Sequence, residues 1–283
     1  MKFEKWQALG NDYLIFEAER LPWELTASRV EWLCDQHFGI GADGVLLLSR
    51  SENPEFVAAL RIFNPDGSEA ELSGNGAREA ILYLRRNGWT DADEFAISTV
   101  AGPIRPTITG ELTCSVDMGQ ASTTSKDFPS GGEDGRGTLE SGGRSWEFQH
   151  VSIGNPQCAI VVVPEELDGL DLCAIGPGIE GHELFPNRTN VSFFAVEGER
   201  VRARIFERGV GETLSSGTGA SGAAVTAFLR GAPNHLVVEL EGGELQVEIG
   251  EDLAVRLDGW AEPVIAGELS PELVQALAEL DGE

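Results

Sequence analysis

Positively charged side chains are scarce in this sequence, in which 20 lysines and arginines stand against 47 aspartates and glutamates, for a net charge of −27. Nucleic acids and anionic membrane surfaces both bind proteins through basic faces that neutralise phosphates. The composition therefore argues against both as partners. It does not identify a substrate, because a strongly acidic surface is equally typical of a protein kept dissolved in a salty or crowded interior.

Cysteines and long apolar runs are also few. The four cysteines lie far apart and form no CxxC pair, at Cys34, Cys114, Cys158 and Cys173. This spacing favours reduced, buried thiols over a disulfide framework or a zinc site. No apolar run approaches the roughly 18 residues of a membrane span, and residues 1–16 lack the unbroken apolar core of a signal peptide. We therefore expect a cytoplasmic protein with no metal site.

A glycine-rich stretch occurs twice in the sequence. Residues 73–77 are SGNGA and residues 216–220 are SGTGA, 143 positions later. The tripeptide Arg-Ile-Phe precedes both at the same offset, at 61–63 and 204–206, and a Gly-Asn pair recurs at an offset of 144, at 10–11 and 154–155. Landmarks repeated in one register predict an internal duplication that gives two similar half-molecules.

Each half is predicted to contain the same elements in the same order. Apolar strands at 57–63 and 200–206 lead through the glycine-rich loops into helices at about 75–87 and 217–230, and alternating strands follow. Elsewhere the patterns predict a hairpin turn at 241–244, an exposed loop at 129–145 and a helix that begins after Ser270.

The two SGxGA loops are candidate anion sites. Each precedes a helix whose first N–H groups lack helical partners, and the helix dipole there favours negative charge. Glycine lets the backbone approach a carboxylate or phosphate closely. If the loops face each other across a cleft, Ser73 and Ser216 would flank a bound carboxylate and could exchange protons on opposite faces of the adjacent carbon. Ordinary capping of the helices by the two serines is the simpler alternative.

Together, the motifs GND, RIFN-DGSE, SGNGAR, GNP, ERGxGET and SGTGA resemble the diaminopimelate epimerase family, which epimerises an amino acid of lysine biosynthesis without a cofactor. The resemblance implies an α+β fold of two pseudo-symmetric halves, each of mixed β-structure around a central helix, with a cleft between them. It implies halves at 1–118, completed by about 263–283, and at 119–262. It also implies a homodimer with a small amino-acid substrate.

The resemblance further implies the site residues. Ser73 and Ser216 stand at the catalytic positions. Substrate-binding positions fall in both halves, at Asn11, Asn64, Gly74, Asn75, Asn155, Asn190, Glu207, Arg208, Gly217 and Thr218.

The sequence departs from the family where the chemistry is done. The family has cysteine at both catalytic positions, histidine at the position of Gln157, and in some members glutamine at the position of Gly44. A thiol has a pKa near 8.5 that a helix N-terminus lowers further, whereas a serine hydroxyl is a far weaker acid and needs an adjacent base. Three carboxylates are candidates for that base, at Glu69, Glu207 and Glu212.

Three interpretations stay open at this point. The chain is an epimerase or related isomerase that uses serine chemistry, including a one-base reaction such as loss of water. Alternatively, it is an engineered variant whose cysteines were replaced, or a non-catalytic relative that binds an amino acid.

Overall fold

The computed structural model describes residues 1–71 and 73–280, which form two compact units. The first contains Met1–Val116 together with the chain from Trp260 onward, and the second contains Asp117–Gly259. The two similar halves and the mixed sheets predicted from the sequence are confirmed. Within the described residues, no helix is both long and apolar enough to cross a bilayer.

The first unit is built on a mixed sheet. Its strands, in sheet order, are β19 (Glu262–Glu268), β1 (Lys2–Ala8), β2 (Asn11–Glu17), β3 (Val45–Arg50), β4 (Ala58–Phe63), β6 (Ile97–Thr99) and β7 (Gly102–Ile104). The short β5 (Glu69–Ala70) pairs with β4, and β8 (Pro106–Ile108) pairs with β9 (Thr113–Gln120), within which the unit ends. The helices are α1 (Ala27–Cys34), α2 (Gly74–Arg86) and the C-terminal α6 (Pro271–Glu279), with a 3-10 turn at Ala18–Arg20.

The second unit repeats this plan. In sheet order its strands are β10 (Arg136–Ser141), β11 (Arg144–Ser152), β12 (Pro156–Val161), β13 (Asn190–Glu197), β14 (Arg200–Glu207), β16 (His235–Leu240), β17 (Gly243–Ile249) and β18 (Ala254–Trp260). The short β15 (Gly211–Thr213) pairs with β14 as β5 pairs with β4. The helices are α3 (Pro164–Leu167), α4 (Leu172–Glu180) and α5 (Gly217–Leu229).

One central helix is buried in each unit, α2 in the first and α5 in the second. The side chains of α2 are buried without a break from Asn75 to Leu84, and those of α5 from Gly219 to Ala227. A helix buried on all sides needs contacts around its whole circumference, and α5 achieves this with small residues that let neighbouring strands approach. Both helices begin at the predicted glycine-rich loops.

Of the other local predictions, two are confirmed and two are wrong in part. The hairpin at 241–244 is confirmed, since Leu240 pairs with Gly243, and so is the capped C-terminal helix, where Ser270 Oγ accepts from the Leu273 N–H at 3.1 Å. The predicted loop at 129–145 is wrong in its second half, because β10 and the start of β11 form a hairpin that turns at Gly142–Gly143. The expectation of buried thiols fails at Cys173, which is exposed.

Candidate active site

Ser216 caps helix α5 and contacts a carboxylate. Its Oγ accepts a hydrogen bond from the Gly219 N–H at 3.2 Å and donates one to Glu207 Oε2 at 3.0 Å. The serine is 4% exposed. Ser216 is therefore both a structural cap and a hydroxyl whose proton points at a base.

Glu207 ends strand β14 and is held from both sides. Its second carboxylate oxygen accepts from Thr213 Oγ1 at 2.9 Å, because the β14–β15 hairpin folds Thr213 back beside the strand. Burial raises the pKa of Glu207 above its ordinary value, against the two hydroxyl hydrogen bonds, which lower it. A carboxylate with a raised pKa is a stronger base than an exposed one, so Glu207 is suited to accept the Ser216 hydroxyl proton. Ser216 and Glu207 therefore resemble an activated nucleophile or a proton-accepting pair.

Ser73 caps helix α2 in the same way but has a different second partner. Its Oγ accepts from the Gly76 N–H at 3.1 Å, as Ser216 accepts from Gly219. The second hydrogen bond comes from the Tyr13 hydroxyl at 3.2 Å. Ser73 is thus approached by two donors, whereas Ser216 lies between a donor and a carboxylate.

The other two candidate carboxylates have structural partners. Glu69 accepts from Arg61 Nε at 2.8 Å and from its Nη2 at 2.9 Å, and this pairing lowers the pKa of Glu69. At the equivalent positions of the second unit, Glu212 accepts from Arg204 Nε at 2.9 Å and from its Nη2 at 2.6 Å. A carboxylate paired with arginine is a poor proton acceptor, so neither suits the role of base.

Hydrogen-bonded side chains next to the two glycine-rich loops also occupy equivalent positions in the two units. Asn75 Nδ2 donates to Asn11 Oδ1 at 3.3 Å in the first unit. In the second unit Asn155 Nδ2 donates to Thr218 Oγ1 at 3.2 Å. The structure thus brings these four predicted residues to the glycine loops, in equivalent pairs.

Asn190, Glu207 and Arg208 also lie together. Asn190 Oδ1 accepts from the Arg208 backbone N–H at 2.9 Å, and the exposed Arg208 guanidinium donates to the Asn187 carbonyl at 3.1 Å. Asn64, by contrast, has its side-chain hydrogen bond inside its own turn, to Ser68 Oγ at 2.9 Å. Nothing in the described part of the chain resembles a metal centre of three or more acidic, histidine or cysteine side chains.

Comparison with known proteins gives the family. The diaminopimelate epimerase family model matches residues 3–124 and 149–258. A diaminopimelate epimerase of Pelotomaculum thermopropionicum is 40% identical over 280 residues, covering 95% of this chain and 98% of the relative. Diaminopimelate epimerase 2 of Nostoc sp. is 39% identical over 282 residues, covering 96% and 97%. The chain belongs to the diaminopimelate epimerase family.

Solved structures show the same epimerase fold at low identity. A hydroxyproline epimerase from Agrobacterium vitis matches with a TM-score of 0.66 at 15% identity, covering 97% of this chain and 94% of the other. A phenazine biosynthesis protein of the PhzF family from Bacillus anthracis matches with a TM-score of 0.67 at 19% identity, covering 95% and 99%. The protein is accordingly an isomerase with the diaminopimelate epimerase fold.

Tyr13, which contacts Ser73, is not among the residues that the sequence analysis singles out. Strand side chains alternate between faces, so Asn11 and Tyr13 lie on the same face of β2. Because Asn11 is a predicted site residue, this alternation is the signal that points to Tyr13. Gln157 stands two residues after Asn155 in the same way and donates to Asn155 Oδ1 at 2.6 Å.

Proposed function

We propose that the protein epimerises diaminopimelate or a closely related amino acid, and that Ser216 and Ser73 exchange protons with the carbon next to a carboxylate. The observation that carries the proposal is the Ser216–Glu207 hydrogen bond at 3.0 Å. A serine can act in such a reaction only with a base beside it, and Glu207 meets that requirement.

The base step uses both residues. As the substrate C–H bond breaks, its proton passes to Ser216 Oγ while the serine hydroxyl proton passes to Glu207. The electron pair stays on the substrate carbon. Because burial raises the pKa of Glu207, the carboxylate accepts this proton more readily than an exposed glutamate would. Glu207 must be ionised at the start, so the step requires a pH above that raised pKa.

Ser73 supplies the opposite step. Its oxygen accepts from the Gly76 N–H at 3.1 Å at the N-terminus of α2, where the helix dipole favours negative charge. Donation of the hydroxyl proton to the substrate carbon leaves an alkoxide at that oxygen, which the N–H and the dipole stabilise. Epimerisation needs one group that removes a proton and another that returns it, and we propose that each unit supplies one.

Substrate binding is proposed to use the residues around these serines. The glycine loops present backbone N–H groups to the reacting carboxylate, and the neighbouring amides orient the amino group. These residues are Gly74, Gly217, Asn11, Asn75, Asn155 and Thr218. The distal end of the substrate is assigned to Asn64, Asn190 and Arg208, since a guanidinium can bind a carboxylate in bidentate fashion. If so, Arg208→Ala weakens diaminopimelate binding in calorimetry by at least tenfold; unchanged affinity would remove Arg208 from the site.

A one-base reaction on the same scaffold is the second candidate. It is favoured by one observation, namely that Ser216 contacts a carboxylate whereas the contacts of Ser73 within residues 1–71 and 73–280 are with donors. Loss of water from a hydroxy amino acid would need only Ser216 and Glu207 as base.

Solvent exchange tests both candidates. The protein is incubated with LL- or meso-diaminopimelate in deuterated water, and deuterium at the α-carbon is followed together with the stereochemistry of the product. Epimerisation predicts deuterium incorporation with inversion, and Ser216→Ala should reduce it by about 10²-fold or more. Ser221→Ala is the matched control, because this buried serine donates to the Gly217 carbonyl at 2.8 Å, one turn along the same helix.

Other outcomes of this experiment have defined meanings. Exchange without inversion supports the one-base candidate. Binding without exchange, with strong activity only after Ser73→Cys and Ser216→Cys, refutes the serine mechanism and leaves a binding protein or a disabled enzyme. The family further leads us to propose a cofactor-free cytoplasmic homodimer in lysine biosynthesis.

A further inference from the structure

We propose that Tyr13 is a positioning residue for Ser73, which directs the serine proton toward the substrate and stabilises the oxygen it leaves behind. This inference rests on the proposed function, in which Ser73 is the proton donor. It goes further by assigning a role to a side chain that the family motifs did not identify.

The contact geometry is the first support. Tyr13 is 6% exposed and its hydroxyl donates to Ser73 Oγ at 3.2 Å. The Gly76 N–H donates to the same oxygen at 3.1 Å. With both hydrogen bonds arriving at the oxygen, the serine's own O–H remains available as a donor, and both bonds strengthen when the oxygen becomes an alkoxide.

Space for the tyrosine ring is the second support. A Cβ at Gly44 would lie 2.6 and 2.9 Å from two carbons of the Tyr13 ring and 2.3 Å from the Phe63 carbonyl oxygen. The backbone of Gly44 is not in the left-handed region, so its conformation does not require glycine. Close approach does require it, because Tyr13 occupies the volume in which a side chain at position 44 would lie.

The internal repeat supplies the third support, because the two halves differ at this point. The position 144 residues after Tyr13 is Gln157, whose Nε2 donates to Asn155. The position 143 residues before Glu207 is Asn64, whose amide donates to Ser68. Ser73 therefore has a hydrogen-bond donor, Tyr13, where Ser216 has an acceptor, Glu207. The donor favours loss of a proton from Ser73 to the substrate, and the acceptor lets Ser216 take a proton from the substrate.

The step assigned to Ser73 balances as follows. Its O–H bond breaks and a C–H bond forms on the substrate carbanion, while the electron pair of the broken bond stays on Oγ. The resulting alkoxide accepts from the Gly76 N–H and takes the Tyr13 hydroxyl proton, because a phenol, with a pKa of about 10, is a much stronger acid than a serine hydroxyl. The tyrosinate regains a proton from water, and the hydroxide this leaves is neutralised by the proton that Glu207 releases to solvent.

The first test compares the two tyrosines of the chain. Tyr13→Phe removes the hydroxyl and keeps the ring against Gly44. Tyr83→Phe is the control, because Tyr83 is also buried in the first unit and its hydroxyl donates to Glu17 Oε1 at 2.8 Å and not to Ser73. We expect Tyr13→Phe to reduce inversion by about 10- to 100-fold.

Exchange at the two faces separates a positioning role from a structural one. In Tyr13→Phe, the stereoisomer whose α-hydrogen is removed by Ser216 should still exchange deuterium with retention, because Glu207 is untouched. The stereoisomer whose hydrogen faces Ser73 should lose exchange. Equal loss for both stereoisomers, or an equal effect of Tyr83→Phe, would overturn the proposal.

A second test does not depend on activity. In a Cys173→Ser background, Ser73→Cys places a thiol beside Tyr13, and its pKa is measured from the pH dependence of alkylation. Burial raises the pKa of Cys34 to about 12 and that of Cys158 well above its usual range, and Cys114 is also fully buried, so these thiols do not compete. Adding Tyr13→Phe should raise the pKa of the introduced thiol by about one unit, since a donor to the thiolate is lost, whereas adding Tyr83→Phe should not.

The two tests distinguish the two proposals. If adding Tyr13→Phe does not change the pKa of the thiol introduced at position 73, the role proposed for Tyr13 is wrong. A pKa that responds, in a protein that exchanges neither stereoisomer, supports the Tyr13–Ser73 contact and refutes the proposed function instead.

Discussion

Replacing Glu207 with glutamine should slow the reaction and stabilise the fold. Glutamine keeps the size of the side chain and can still accept a hydrogen bond from Ser216 or Thr213, which both contact the wild-type carboxylate. What it loses is the capacity to take a proton. We therefore expect α-deuterium exchange to fall by about 10² to 10⁴-fold, the usual contribution of a positioned general base.

The stability effect has the opposite sign because burial raises the pKa of Glu207. When the pKa of a carboxyl group is higher in the folded than in the unfolded protein, the protonated group stabilises the fold at low pH. This stabilisation is complete below the pKa in the unfolded chain, about 4.3 for glutamate. It is lost as the pH rises through the pKa in the folded protein. Each unit of such a shift corresponds to about 1.4 kcal/mol. Glutamine does not titrate, so Glu207→Gln should become more stable relative to the wild type across that window.

Two measurements check this prediction. Urea unfolding at pH 4 and pH 8 gives the relative stability of the variant, and the pH dependence of exchange gives the acid limb. In the wild type the acid limb should lie above the ordinary glutamate pKa, and it should be absent from the residual exchange of Glu207→Gln. A variant that exchanges at the wild-type rate would refute the base role. A variant less stable at pH 8 than at pH 4, relative to wild type, would refute the burial reasoning.

Two further predictions concern the central helices. Gly222→Ala should destabilise the second unit, because the added Cβ would lie 2.9 Å from Cβ and Cγ of the fully buried Gln157; overpacking costs about 1–3 kcal/mol against a helix-propensity gain of about 1. Urea midpoints should fall for Gly222→Ala, and the fall should be smaller in a Gln157→Gly background, which removes both close atoms; an equal fall in that background would place the strain elsewhere. Glu79→Gln should gain stability relative to wild type as pH rises, by up to about 1.4 kcal/mol per pH unit above about 4.3, because burial raises the pKa of Glu79 well above its usual range. A difference that does not change between pH 5 and pH 8 would mean that Glu79 is ionised and compensated by the buried Arg78.

The two-half architecture could be predicted from sequence because local rules produce it. The repeated glycine loops mark helix starts, and the Arg-Ile-Phe strands before them keep one register, so the order of elements is written into the chain. Ser73 and Ser216 cap α2 and α5, which is the simpler alternative that the sequence leaves open for them, and an N-cap can be foreseen because it involves residues only three positions apart. The missed strand β10 shows the limit, because RGTLES has a single large apolar residue, Leu139, and therefore lacks the alternation by which a strand is recognised.

Composition alone did not distinguish the three candidate carboxylates. Arg61 and Arg204 each lie eight residues before a glutamate, yet only the pairing of β4 with β5 and of β14 with β15 shows that they hold Glu69 and Glu212. This pairing leaves Glu207, at the last residue of β14, as the carboxylate that reaches a serine.

The sequence by itself determined the family, the two similar halves and the starts of the two central helices, because each depends on residues that are near neighbours in the chain. Only the tertiary structure decided that Ser216 contacts an acceptor and Ser73 a donor. Tyr13 and Ser73 are 60 positions apart and meet because β2 and the start of α2 pack in one unit. Hydrogen bonds act over about 3 Å, so the roles of two otherwise identical serines depend on folding that brings distant side chains within that distance.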